Sequence, residues 1–329
     1  MTVEGTEPLF PAVDLSRVRT VPFHRRRNLV RLSDVARILE PPPDLRPLLG
    51  SLPNLLAASE LREVARAFAG AARGGGAVVM AGGHVVKAGC APYLVDLIGR
   101  GAITHLALNG AAAIHDFELA RFGETSEDVA ENLADGSFGM SEETGREFNG
   151  ALAAARGRGA GEALGWALEE GGAPHRDASL LAACVRRGVP VSVHVAVGAE
   201  ITHQHPTCDG AAVGATTHRD FRVLAHSLTR LGPGGIVLNL GSAVVLPEVF
   251  VKALSVARNL GHEARGFTAV DFDMIRHYRP AMNVIGRPVL GGGRGVHLTG
   301  HHEILIPLLY YAVRSLLDGG AAAGAGAHG

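Results

Sequence analysis

Residues 77–120 constrain the fold more than any other stretch: AVVMAGGHVVKAGCAPYLVDLIGRGAITHLALNGAAAIHDFELA. Val78-Val79-Met80 is an apolar run that stops at Gly82-Gly83, as a buried strand entering a tight turn does. Apolar residues recur at helical spacing over 85–98, Gly101 ends that helix, and 103–108 reads as a second strand running into Asn109-Gly110. Strand, turn, helix and strand make a βαβ unit, whose strands are parallel. Backbone N–H groups at such a turn suit a phosphate. The spacing Gly82-Gly83-x5-Gly89 is not the full dinucleotide fingerprint, and the glycines serve equally well simply to turn the chain.

The remainder alternates in the same way. Residues 55–73 have a helical period before Gly74-Gly75-Gly76, and 179–187 is a helix stopped by Gly188. Residues 189–197 form a β-branched strand, 221–231 a helix, and 235–240 a strand ending at Gly241-Ser242. Pro247 opens a helix to Asn259, strands follow over 262–270 and 296–299, and 304–317 is a closing helix. This predicts an α/β fold with a mostly parallel sheet covered by helices on both faces. Residues 1–45, broken by Pro8, Pro11, Pro22 and Pro41-Pro42-Pro43, read as an N-terminal arm whose His24-Arg25-Arg26-Arg27 cluster is solvated. Residues 124–147 read as an acidic surface excursion with one helix. Residues 46–318 then make a single domain, and the Gly/Ala-rich 319–329 a disordered tail.

Composition narrows the function. Thirty-one basic against 32 acidic side chains leave no global field to favour nucleic acid. Lys87 and Lys252 are the only lysines. Cys90, Cys184 and Cys208 are few, odd in number and far apart, which argues against a disulfide framework. With no secretory signal pattern and no apolar run of about 18 residues, no membrane role is expected and the expected location is the cytoplasm.

Four collinear segments over roughly 75–315 resemble deoxyhypusine synthase, an NAD-dependent aminobutyl transferase of the Rossmann-like class. They are AGGHVVKAGCAPYLVDLIGRGAITHLALNGAAAIHD, DASLLAACVRRGVPVSVHVAVGA, GIVLNLGSAVVLPEVFVKALSVARNLG with TAVDFD, and LIPLL. The resemblance implies NAD contacts at Gly82, Gly83, Asn109, Gly110, Gly241, Ser242 and Asp273, and a homo-oligomer, expected to be a tetramer, with sites between subunits. It also implies a catalytic lysine where this chain has Arg287, and arginine forms no imine. The polyamine-facing acids are replaced by His115 and, within 274–279, by Arg276, His277 and Arg279; a histidine is replaced by Pro247. Two acidic cofactor contacts are replaced by Gly198 and His301. True deoxyhypusine synthase activity is therefore excluded.

Histidine stands where those groups are lost. Sixteen are present, several at predicted strand ends. His115, Asp116, His203, His205 and Asp209 are the candidate acid–base groups. Arg276, Arg279, Arg287 and Arg294, with His301 and His302, are candidates for an anionic or neutral substrate. Three readings follow: an NAD-linked transferase or related enzyme; an enzyme with a divalent metal on His203, His205 and Asp209; or a small-molecule-binding protein without catalysis. Cys208 beside His205 lacks a visible third group to orient a base. These loops are expected to border one cleft, because each follows a strand at the same sheet edge.

Two outcomes are expected. Light scattering should show an oligomer, and a monomer at working concentration would refute the assembly. Borohydride should trap no lysine adduct with spermidine and NAD; such an adduct in the mass spectrum would refute the placement of Arg287.

Overall fold

A computed structural model describes residues 12–325. Its strands are β1 (Asn28–Arg31), β2 (Ala77–Ala81), β3 (His105–Asn109), β4 (Glu124–Glu127), β5 (Val191–His194), β6 (Ile236–Leu240), β7 (Thr268–Asp273) and β8 (Arg294–Thr299). Six of them form one sheet in the order β5-β3-β2-β6-β7-β8, every neighbouring pair parallel. Counted along the chain within the sheet, this is the doubly wound order 3-2-1-4-5-6, which reverses direction between β2 and β6. The expected α/β architecture is present.

Every residue of β2 and β6 is buried, which explains their apolar runs, broken in β6 by Asn239, whose amide donates to Asp271 Oδ1 (2.8 Å). Val79, Leu106, Leu238 and Phe272 face one core, packed under helices Leu56–Gly70, Ala91–Gly99 and His302–Ala325. Met80, Val237 and Ala269 face the other, under helices Gly210–Leu228 and Val245–Asn259 through Leu224, Leu228, Phe250 and Leu254.

Several boundaries differ from those expected. The helix over 85–98 is two helices, Gly83–Lys87 and Ala91–Gly99. Gly89 between them has φ +74°, and a Cβ there would lie 3.0 Å from Val35 Cα. Pro92 then opens the second helix. The stretch 124–147 is not a loose excursion: β4 pairs antiparallel with β1, and helix Glu142–Ala153 follows. Residues 12–45 pack on their own chain, with Leu39 N donating to the Tyr311 hydroxyl (3.0 Å) and Leu45 N to Ser315 Oγ (2.9 Å). Arg26 is buried, contrary to a solvated cluster; His24, Arg25 and Arg27 are exposed. The closing helix runs past Gly319 to Ala325, and the rest of the expected tail, 326–329, lies outside the described residues.

Among the described residues the edge strand β5 has no strand partner on its outer side, and helix Gly210–Leu228 closes it with side chains. Asp220 Oδ2 accepts from Val193 N (2.7 Å) and Gly161 N (2.8 Å), while Thr217 Oγ1 accepts from Val195 N and donates to Val193 O. Burial pushes the Asp220 carboxyl up to about 7, against the hydrogen bonds that favour its ionised form. A carboxyl raised in the fold contributes stability that is full below its unfolded pKa and is lost as pH rises through about 7. Asp220→Asn keeps an acceptor oxygen but cannot ionise. Its stability relative to wild type should rise between about pH 4 and 7, by at most about 1.4 kcal/mol per pH unit. Urea unfolding at both ends of this range checks it; an unchanging difference would mean that Asp220 is already ionised in the fold.

Candidate functional site

All six parallel strands end at one edge, so the turns after them share it. Gly82 and Gly241, directly after the two strands between which the sheet order reverses, meet backbone to backbone: a Cβ on Gly82 would collide with the Gly241 carbonyl. Gly83 leaves room for Ala111, Gly110 for the Glu200 carboxyl and Gly241 for the His302 ring. Other expected cofactor residues have local duties. Asn109 Oδ1 caps helix Gly110–Phe122 by accepting from Ala112 N (2.9 Å), Ser242 Oγ accepts from Leu246 N (3.2 Å), and Asp273 Oδ1 accepts from Met274 N (2.7 Å). Gly82 is buried, and the turn opens to the surface only at the half-buried Gly83 and the exposed His84, which are left to meet a ligand. It lies at the order reversal, where a doubly wound sheet receives a dinucleotide, so these residues fit one there.

Beside that turn is a cavity of about 220 Å³, lined by Arg26, Lys87, His115, Glu118, Glu127 and Glu200 among others. Four separate pieces of chain build its polar wall. Glu118, one turn after His115 on helix Gly110–Phe122, accepts from Thr125 Oγ1 of β4 (2.6 Å) and from Thr144 Oγ1 of helix Glu142–Ala153 (2.8 Å). Arg26 Nη2 of the arm stands 2.7 Å from Glu118 Oε1. His115 Nδ1 lies 2.8 Å from Thr125 Oγ1.

Proton accounting fixes the tautomer. The Thr125 hydroxyl hydrogen goes to Glu118, so Thr125 can only accept from His115. Nδ1 therefore carries the hydrogen and Nε2 is a bare lone pair. Burial lowers the His115 pKa; Glu118 opposes this, and Lys87 and Arg26 add to it. A neutral imidazole with an oriented free nitrogen can act as a base.

The other expected residues are dispersed. Asp116 faces away from the cavity and accepts from Ser179 Oγ (2.6 Å), Leu180 N (2.7 Å) and Leu181 N (3.1 Å), which caps helix Leu180–Arg187. His203 Nδ1 lies 3.1 Å from Glu200 Oε2. His205 is buried against Gly145 with Nδ1 on Thr207 Oγ1 (2.8 Å). Asp209 caps helix Gly210–Leu228. His203, His205 and Asp209 thus do not form the expected metal set, and among the described residues no group of three or more His, Cys, Asp or Glu could hold a metal.

Of the arginines, Arg279 and Arg287 share one network, in which Asn283 Nδ2 donates to Glu248 Oε1 (2.9 Å), and Arg276 and Arg294 stand outside it. Arg276 is exposed, Arg279 stands 3.3 Å from Glu248, Arg287 donates to Asn283 Oδ1 (2.9 Å), and Arg294 pairs with Glu63. His301 is exposed near Glu303, whereas His302 is buried with Nε2 3.3 Å from the Phe272 carbonyl and its ring 5.4 Å from that of His84. Burial raises the Cys208 thiol pKa, which disfavours the thiolate a nucleophile needs.

Lys87, Arg26, Glu118, Thr125 and Glu200 were absent from the expected site. The scarcity of lysine and the basic arm were visible signals for the first two. Glu118 had only its helical spacing from His115, and nothing local marked Thr125 or Glu200.

No protein-family model and no curated protein matches the sequence. Solved structures do. A LOR/SDH protein from Methanococcus maripaludis S2 is 14% identical over 80% of this chain and 71% of its own, with a TM-score of 0.50. AgrE, crystallised in a ternary complex with ornithine and NAD+, is 16% identical over 80% of this chain and 33% of its own, also at 0.50. This chain thus spans about a third of AgrE's length. A protein of Entamoeba histolytica named for deoxyhypusine synthase is 10% identical over 79% of this chain and 88% of its own, at a TM-score of 0.47, too low to carry an argument. At such identities the likeness shows the fold alone, which is an α/β, Rossmann-like fold with an NAD+-bound structure among its neighbours.

Proposed function

We propose that the chain is an NAD-linked enzyme on a deoxyhypusine synthase-like scaffold, acting on a small carboxylate that also bears a hydroxyl or amino group. The observation that carries this reading is the hydrogen-bond chain Glu118–Thr125–His115 in the cavity wall, which leaves Nε2 of His115 free to take a proton. NAD would be held by the turns at Gly82-Gly83, Asn109-Gly110 and Gly241-Ser242, with Asp273 nearby, and would supply the hydride acceptor. The chain's own part is to bind the substrate, hold it and remove the proton from its hydroxyl or ammonium.

Charge supports an anionic substrate. Lys87 has no ion-pair partner among the described residues. Arg26 keeps Nη1 buried without a hydrogen bond, 3.9 Å from Glu127. A carboxylate could engage both cations. AgrE binds ornithine and NAD+ together, and the likeness of fold extends that pairing to this chain only as a proposal.

Calorimetry with NAD+ and an assay of small hydroxy- and amino-carboxylates, following reduced nicotinamide, test the reading. His115→Gln should keep NAD+ affinity and lower kcat about 10²–10⁴-fold. Absent NAD+ binding, absent turnover with the whole panel, or wild-type turnover in the variant would each overturn it.

A further inference from the structure

We propose that Asp271, His297 and Thr299 form a second reactive site, in which the Thr299 hydroxyl is the nucleophile that transfers the acyl group of a small, uncharged ester to water. This site is separate from the one assigned above. Thr299 ends β8, whereas His115 follows β3, and in the sheet order those strands are four spacings of about 4.8 Å apart.

The site is a ladder across one face of three neighbouring strands. Asn239, Asp271 and His297 are paired in register on β6, β7 and β8, and Thr299, two residues beyond His297, shares its face. Asp271 is fully buried, and both of its oxygens accept: Oδ1 from the Asn239 amide (2.8 Å) and Oδ2 from His297 Nδ1 (2.9 Å). The same amide nitrogen donates to the Ser242 carbonyl (3.0 Å), which fixes the end of Asn239 that meets the carboxylate. His297 Nε2 lies 2.8 Å from Thr299 Oγ1, and Thr299 is exposed at the strand end.

Proton positions follow from these contacts. A carboxylate accepting on Oδ2 places the ring hydrogen on Nδ1, so Nε2 has the lone pair and receives the Thr299 hydroxyl hydrogen. Burial raises the Asp271 pKa, and the Asn239 amide and the His297 ring oppose it. Nucleophile, base and orienting carboxylate thus stand in line, an arrangement recognised by geometry and not by order in the chain. A mere link between strands would not need a buried carboxylate, whose desolvation is unfavourable. Asp271 and Asn239 are positioning residues. Asp273, the register neighbour of Thr299, adds a further carboxylate and disfavours anionic substrates.

In the first step Thr299 Oγ1 bonds to the ester carbonyl carbon while His297 Nε2 takes the hydroxyl proton. The alcohol leaves with that proton, and the acyl group stays on Thr299. Water then gives a proton to Nε2 and its oxygen to the acyl carbon, and Thr299 regains a hydrogen as the acid departs. Just beyond the triad, helix His302–Ala325 begins, and its first bonds run from Ile304 N and Leu305 N to His301 O. The N–H groups of His302 and Glu303 precede that ladder and suit the charge that develops on the carbonyl oxygen.

The test uses the full-length protein with p-nitrophenyl acetate and, as a covalent probe, a small alkyl fluorophosphonate. Peptide mass spectrometry should place the phosphonyl group on Thr299. Thr299→Ser should keep both reactions, and Thr299→Val, of the same shape, should lose both. His297→Gln and Asp271→Asn should lower kcat roughly 10²-fold or more and leave KM within about threefold. Nitrogen NMR should show His297 protonated at Nδ1 and bare at Nε2 at neutral pH. p-Nitrophenyl hemisuccinate, the anionic analogue, should react several-fold more slowly than the acetate, and equal rates overturn the charge preference. A label on other residues only, hydrolysis unchanged in Thr299→Val, or a hydrogen on Nε2 overturns the site.

Discussion

Glu118 is the group on which the site's architecture depends. Its carboxylate is 1% exposed and collects Arg26 from the arm, Thr125 from β4 and Thr144 from helix Glu142–Ala153. A buried carboxylate without such partners would be strongly unfavourable, whereas a fully satisfied one ties together the elements that supply its donors. The same network explains why the arm and the β1–β4 ribbon lie against the main domain. Arg26 is itself buried, over the Phe23 ring at 4.3 Å, and without Glu118 its nearest carboxylate would be Glu127, 3.9 Å away. His115 gains its tautomer from the same source. Orientation of the candidate base and docking of residues 12–45 are thus one interaction seen from two sides.

The sheet was readable in the sequence because parallel strands buried on both faces have apolar runs. Residues 77–81 and 236–240 announce themselves, and so do the glycines after them. The short strand β4, ETSE, has no such run; it is a strand because Asn28–Arg31 pairs with it, a contact about a hundred residues away that no local pattern encodes. The arm was misread for the same reason. Its prolines and arginines resemble a solvated segment, and only the distant Glu118 makes Arg26 a buried residue.

For the site, the placement of His115 beside a strand-end turn was legible, and so was an interest in the histidines after β5. Asp116 and Asp209 have the chemistry of catalytic acids and the duty of helix caps, a distinction that depends on which N–H groups they face. The arginines of the last hundred residues are clustered in sequence, but their partners, Glu248, Asn283 and Glu63, lie on different elements. Glu200 was invisible because its place at the site depends on Gly110, ninety residues away, whose missing side chain makes room for its carboxyl.

The contact between Gly82 and Gly241 limits how this surface can diversify. A Cβ on Gly82 would strike the Gly241 carbonyl, and one on Gly241, which has φ +64°, would strike the His302 ring. Gly82 cannot acquire a side chain without separating the two central strand ends, nor Gly241 without displacing the head of the last helix. Novelty at this edge must therefore come from chain that arrives from elsewhere, as the Glu200 loop, the arm and the head of the last helix do. An evolving lineage would keep its glycines at the hinge of the sheet and change its chemistry by exchanging what leans over them.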